Sequence, residues 1–153
     1  MNFIYSLLET SPDYLYLFLR LVAGIVIFPY GMQKLFGWFD DLGGGVGIKA
    51  TLANMRKKNI PAGIAWLIII GESFGSIALL IGFLGRMAAG GTFIIFTGAL
   101  YLRRSNGWTL NWTGTKKGEG IEYFILLLSI LLVIVARGSG PYSIDLWLSS
   151  KIR

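Results

Sequence analysis

The sequence predicts an all-α fold, a polytopic membrane four-helix bundle with an interfacial loop segment between helices 1 and 2. Three observations predict it. Hydrophobic residues make up 54% of the chain and charged residues only 14%, a balance far from that of a soluble domain. The apolar residues stand in near-continuous runs, where a soluble core helix would alternate them with a polar face. Lys and Arg collect at the ends of those runs, where such residues set topology and meet anionic head groups.

With 153 residues the chain has room for one domain, residues 1–153. Its 14 Lys and Arg against 8 Asp and Glu give a formal charge of +6. Because these cations flank apolar spans, no nucleic-acid partner is expected and membrane lipid is. There is no Cys and no His, which excludes disulfides, thiol redox chemistry, Cys-ligated iron-sulfur clusters and His-ligated haem within the chain. A general base of near-neutral pKa would have to be a perturbed carboxylate or Lys.

Met1 to Asp13 hold no Lys or Arg and so lack the basic region of a cleavable signal peptide, and the first span is expected to be retained. That span covers residues 14–32, long enough for a bilayer core, with Pro29 and Gly31 expected to kink or end it. The polar, glycine-rich and basic stretch up to Ile60 contains the aromatic patch Phe36, Trp38 and Phe39 and reads as a loop with a short interfacial helix. Span two covers 61–82, with Pro61 placed for a first helical turn. A short turn leads to span three, 87–102, in an antiparallel hairpin. A second polar loop carries Trp108 and Trp112, suited to the membrane interface. Span four, 121–136, is near the lower length limit for crossing, and the tail from Ser143 has the character of an interfacial segment.

The cations sort these segments by side. The two long loops hold Lys34, Lys49, Arg56, Lys57, Lys58, Arg103, Arg104, Lys116 and Lys117; the other side holds Arg86, Arg137, Lys151 and Arg153. Both termini are therefore expected outside the cytoplasm, in a multi-pass protein of the cell (inner) membrane.

Two charges stand inside apolar spans, Arg20 and Glu72, where a lone charge costs at least roughly 2.5–3.5 kcal/mol on the insertion scale. Counted from the loop side, each lies about ten residues in, or roughly 15 Å deep, so an Arg20–Glu72 pair is the economical compensation. Glu122, at the start of span four, is at the level of Gln33 and Lys34, which suggests a Glu122–Lys34 pair. Tyr30, Ser76, Asn106 and Ser129, with Thr97 and Tyr101, extend this into a polar seam from midplane to the loop-side mouth. Gly71 and Gly75 on span two, and Gly90, Gly91 and Gly98 on span three, form small-residue faces for close helix packing, the latter suited to a homo-oligomer. The alternative is that the charge pairs are packing clips that orient the bundle. The glycine run at 43–47 has no preceding strand and no P-loop Lys-Ser/Thr after it, so it reads as a flexible loop. Asp40 and Asp41 read as solvated carboxylates. No nucleophile has a base, and no catalytic or metal-binding residue is expected.

The segments LRLVAGIVIFPYGMQKLFG at 19–37, Pro61-Ala62 with GESFGSIALLIGFLGR at 71–86, Asn106-Gly107-Trp108, the run Gly120 to Tyr123, and GPYSIDLWL at 140–148 together resemble the DoxX family of small four-helix membrane proteins. Two positions depart from the family pattern: Tyr30 stands where a His often precedes Gly31, and Leu102, Arg103 and Arg104 stand where another His often precedes the Asn-Gly dipeptide. The resemblance implies membership of a group that includes a subunit associated with thiosulfate:quinone oxidoreductase, a membrane partner of a redox-defence complex, and distant cargo receptors and receptor chaperones. Fold kinship does not choose among them.

The leading functional expectation is an accessory subunit, more a binding protein than an enzyme by itself. It would hold a quinone, lipid or other small amphiphile in the seam and support a redox or stress-response partner. Quinone is the one cofactor this reading admits. A second expectation is small-solute or proton transport through Glu72 and Glu122. A third is a membrane scaffold or chaperone-like protein that docks a partner on the basic loop 33–60.

Overall fold

A computed structural model of the chain describes residues 3–40, 42–116 and 118–152. Asp41, the second of the paired loop carboxylates, and Lys117 and Arg153, counted among the topological cations, lie outside the described residues. The described residues form seven α-helices and a short 3-10 turn at Arg104–Asn106: α1 Phe3–Leu8, α2 Tyr14–Phe36, α3 Gly47–Lys57, α4 Ala62–Ile81, α5 Gly85–Arg103, α6 Glu122–Arg137 and α7 Ile144–Ile152.

Helix α2 begins where the Asp13 side chain accepts the Leu15 N–H at 2.8 Å and ends where Gly37 turns left-handed, φ 75°, with its N–H on the Gln33 carbonyl. An N-cap carboxylate and an αL glycine supply the hydrogen bonds that helix ends leave open. The helix runs unbroken through Pro29 and Gly31 to Phe36, so the first span is longer than the expected 14–32. Proline removes one backbone donor without ending the helix here.

The four long helices close a ring in which α2 packs on α4, α4 on α5, α5 on α6 and α6 on α2. The core of this ring is apolar: Ala23, Ile27, Leu79, Ala89, Phe96, Phe124, Leu127, Leu131 and Ile134. Helices α2 and α4 are long and apolar enough to cross a membrane, and only 33% of the most apolar window of each is buried inside the protein. Phe18 and Ile25 on α2, Leu67 and Phe74 on α4, Ile94 on α5 and Leu126 on α6 point outward. A soluble protein rarely exposes so much continuous apolar surface; lipid covers it at no cost.

The antiparallel α2–α4 contact depends on two glycines one heptad apart. A methyl group on Gly31 would stand 2.6 Å from the Glu72 carbonyl oxygen, and one on Gly24 would stand 2.8 Å from Leu80 Cγ. The Ser73 hydroxyl crosses the same contact to the Gly31 carbonyl at 2.9 Å. Gly71 and Gly75 let α5 approach α4, facing Ile95 and Thr92. Gly90 faces Val135 of α6 with room to spare, and nothing lies within 4 Å of a methyl placed on Gly91 or Gly98, so these two open onto the surface of the ring.

Short helix α3 packs on α2 and α4 through Thr51 and Met55, one helical turn apart. It lies at the end of the ring that carries both long loops, the loop end. Helices α1 and α7 pack together at the opposite, tail end.

Candidate functional site

Three polar assemblies occupy the two ends of the ring. At the tail end, Arg20 is 1% exposed and donates to carbonyl oxygens only: Leu79 and Leu80 through Nη1, both at 2.6 Å, Ser139 through Nε at 2.8 Å and Tyr142 through Nη2 at 3.2 Å. Leu79 and Leu80 belong to the last turn of α4, whose carbonyls have no partner within the helix, and a cation there also meets the negative end of the helix dipole. Arg86 does the same for α6, donating to Val135 and Ala136 at 2.8 and 2.9 Å and to Glu9 at 3.0 Å.

Asp145 completes the tail assembly. It is 1% exposed and accepts from the Leu84 and Gly85 N–H groups at 2.6 and 2.8 Å and from the Ser139 hydroxyl at 2.6 Å. Leu84 is held at φ 49°, a region costly for a branched side chain, and the Asp145 bond fixes it there at the start of α5. Gly85 faces Ser139 and Asp145 where a Cβ would collide. All three guanidinium nitrogens of Arg20 and both oxygens of Asp145 are engaged, so this assembly ties the tail to the ring.

The expected Arg20–Glu72 pair is therefore not formed. Gly31 against Glu72 sets a register in which the residue opposite Arg20 is near position 83, eleven beyond Glu72 and roughly 16 Å along the axis. Counting depth from a span that stopped near Tyr30 placed Arg20 too close to the loop end.

Glu72, midway along α4, pairs with Lys34 in the last turn of α2, Nζ to Oε2 at 2.5 Å, with side chains only 10% and 8% exposed. The ammonium also approaches the Tyr30 carbonyl at 3.4 Å and stands 5.6 Å from the centre of the Tyr30 ring. Gly44 folds over it, close enough that a Cβ would lie 3.3 Å from Lys34 Cε. Gln33 is fully buried beside this pair in sequence. Among the described residues Lys34–Glu72 is the only ion pair within 4 Å.

The expected Glu122–Lys34 pair is likewise not formed, because Glu122 accepts the Leu110 N–H at 2.8 Å. It serves the second loop, where Ile121 and Glu122 N–H groups reach the Gly107 and Trp108 carbonyls. Asn106 belongs to the same loop, donating to the Glu119 carbonyl at 3.1 Å. Ser129 is exposed and bonds back to Ile125 of its own helix, as Thr97 does to Phe93; Tyr101 is 62% exposed. Ser76 is buried but bonds to Ser73 one turn back. The expected continuous seam thus separates into the Lys34–Glu72 pair with Tyr30, a loop latch at Glu122 and Asn106, and isolated hydroxyls satisfied within their own helices.

One group was missed. Tyr123, at the start of α6, buries its hydroxyl with no hydrogen-bond partner among the described residues, within electrostatic reach of Tyr30 and Glu72. Its ring packs edge-on against Phe124 at 5.3 Å. Its one signal in the sequence is a Tyr directly after the Glu that starts span four. The partners of Arg20 were also hidden, since backbone carbonyls carry no residue-specific signal.

The DoxX family model matches residues 15–105, more than half of the chain. The chain belongs to the DoxX family. No curated protein and no solved structure matches it. In this DoxX protein the matched stretch includes Arg20, Tyr30, Lys34 and Glu72, while Glu122, Tyr123 and Asp145 come from helices beyond it that fold back onto the matched ones. DoxX proteins are membrane proteins, in keeping with the apolar surface of α2 and α4.

Proposed function

We propose that this DoxX protein crosses the membrane four times with both termini outside the cytoplasm, and that it is an accessory subunit binding a small amphiphile at the loop end. A quinone is the amphiphile the chemistry favours, and the subunit would serve a redox or stress-response partner. The observation that supports the reading is the buried Tyr123 hydroxyl, which has no hydrogen-bond partner among the described residues, within electrostatic reach of Glu72 of the closed Lys34–Glu72 pair. A buried hydroxyl left unbonded costs roughly 1–3 kcal/mol, and a carbonyl or ester oxygen of a ligand would recover that. With no Cys and no His in the chain, the electrons would be carried by the ligand and the partner.

The test is mass spectrometry of organic extracts from the purified protein and from Tyr123→Phe, each with decyl-ubiquinone added after delipidation. Retention by the native chain and loss in the variant is expected. No bound compound beyond bulk lipid and detergent, or equal retention in Tyr123→Phe, would overturn the reading. A carboxylate relay for transport has less support, since Glu72 is closed by Lys34 and Glu122 by the Leu110 backbone.

A further inference from the structure

Where α3 meets the start of α4 the surface is cut by a groove of about 930 Å³, within the size range of small-molecule sites. Leu52, Ala53, Ile60 and Pro61 give it apolar walls, and Arg56 and Lys57 stand at its edge. Lys57 also borders a neighbouring recess of about 330 Å³ beside Lys58, Asn54 and the Gly43–Gly44 backbone. No carboxylate lines either space among the described residues. The side chains of Arg56, Lys57 and Lys58 are exposed and have no ion pair among the described residues.

The position of the groove decides what fits it. It opens at the first turn of α4, where Ile64, Trp66 and Leu67 already face outward, so its apolar wall continues into the lipid-facing surface of a helix long enough to cross a membrane. Its basic rim lies on the loop side of that surface. Helix α3 is held there by Met55 and by Thr51, whose hydroxyl donates to the Gly45 carbonyl at 3.1 Å, so the cations are carried on a docked helix. A molecule complementary to both parts has an anionic head and an alkyl body.

We infer that the α3–α4 groove is a binding site for an anionic phospholipid, its phosphate between Arg56 and Lys57 and its acyl chains running along the first turns of α4. Juxtamembrane cations attract anionic lipid by an interaction that falls off within a Debye length, and an adjoining apolar wall turns that attraction into a located site. This site is separate from the Lys34–Glu72 and Tyr123 region and stands or falls independently of the quinone reading.

The experiment is native mass spectrometry of the full chain released from detergent containing equal phosphatidylglycerol and phosphatidylcholine. Preferential retention of phosphatidylglycerol is expected, falling in Arg56→Gln and Lys57→Gln by roughly fivefold for each cation removed, the equivalent of about 1 kcal/mol. Ala53→Trp, at an exposed position on the groove wall, fills the groove with every charge intact and is expected to abolish the preference. Arg103→Gln with Arg104→Gln, at the same end on the other loop, is expected to leave it unchanged. No preference in the native chain, an unaffected Ala53→Trp, or an equal loss in the Arg103 and Arg104 variant would overturn the site in favour of diffuse surface charge.

Discussion

Removing one partner of the Lys34–Glu72 pair is the perturbation whose outcome the structure specifies most closely. The pair is 2.5 Å long with side chains 10% and 8% exposed, and Gly44 and the Tyr30 backbone enclose the ammonium. Lys34→Met leaves the Glu72 carboxylate without its cation, and Glu72→Gln leaves the ammonium without its anion; each is expected to cost roughly 3–5 kcal/mol, the usual penalty for one uncompensated buried charge. The double variant buries neither charge, so it is expected to lose no more than either single variant. The assay is reversible unfolding in mixed detergent micelles by titration with sodium dodecyl sulfate, followed by circular dichroism, for all four chains. Single losses below about 1 kcal/mol, or losses that simply add in the double variant, would refute the claim that these two side chains are buried against each other.

Arg20→Met keeps most of the side-chain volume but abandons four carbonyl acceptors, and a stability loss of roughly 3 kcal/mol or more is expected, with faster amide hydrogen exchange concentrated in residues 138–152. Gly31→Ala is expected to destabilise by roughly 1–3 kcal/mol, because its methyl meets the Glu72 carbonyl at 2.6 Å. By contrast Gly91→Ala, with nothing within 4 Å, is expected to be neutral or slightly stabilising in the same unfolding assay; equal effects of the two would contradict the helix register. Glu122→Gln is expected to expose the 107–121 loop to limited proteolysis while changing global unfolding by less than about 1 kcal/mol, since its carboxylate serves the Leu110 backbone and no buried charge.

The sequence by itself determined the membrane class, the four long helices to within a few residues, the family, and that Arg20 and Glu72 stand as charges inside apolar spans. Each of these follows from one-dimensional quantities: runs of apolar residues, charges inside them, and segments in a fixed order. Composition also settled that no thiol or imidazole chemistry resides in the chain. What only the tertiary structure decided is which charge meets which partner. The register of two antiparallel helices follows from where their backbones approach most closely, at Gly24 and Gly31; setting Gly31 against Glu72 leaves Arg20 eleven residues, roughly 16 Å, away along the axis and Lys34 within one turn, which exchanges Arg20 for Lys34 as the partner of Glu72. The same distance effect reassigned Arg20. A guanidinium near a helix end finds its lowest free energy by satisfying carbonyls that the α4 C-terminus and the tail leave open, and those acceptors carry no signature in side-chain sequence.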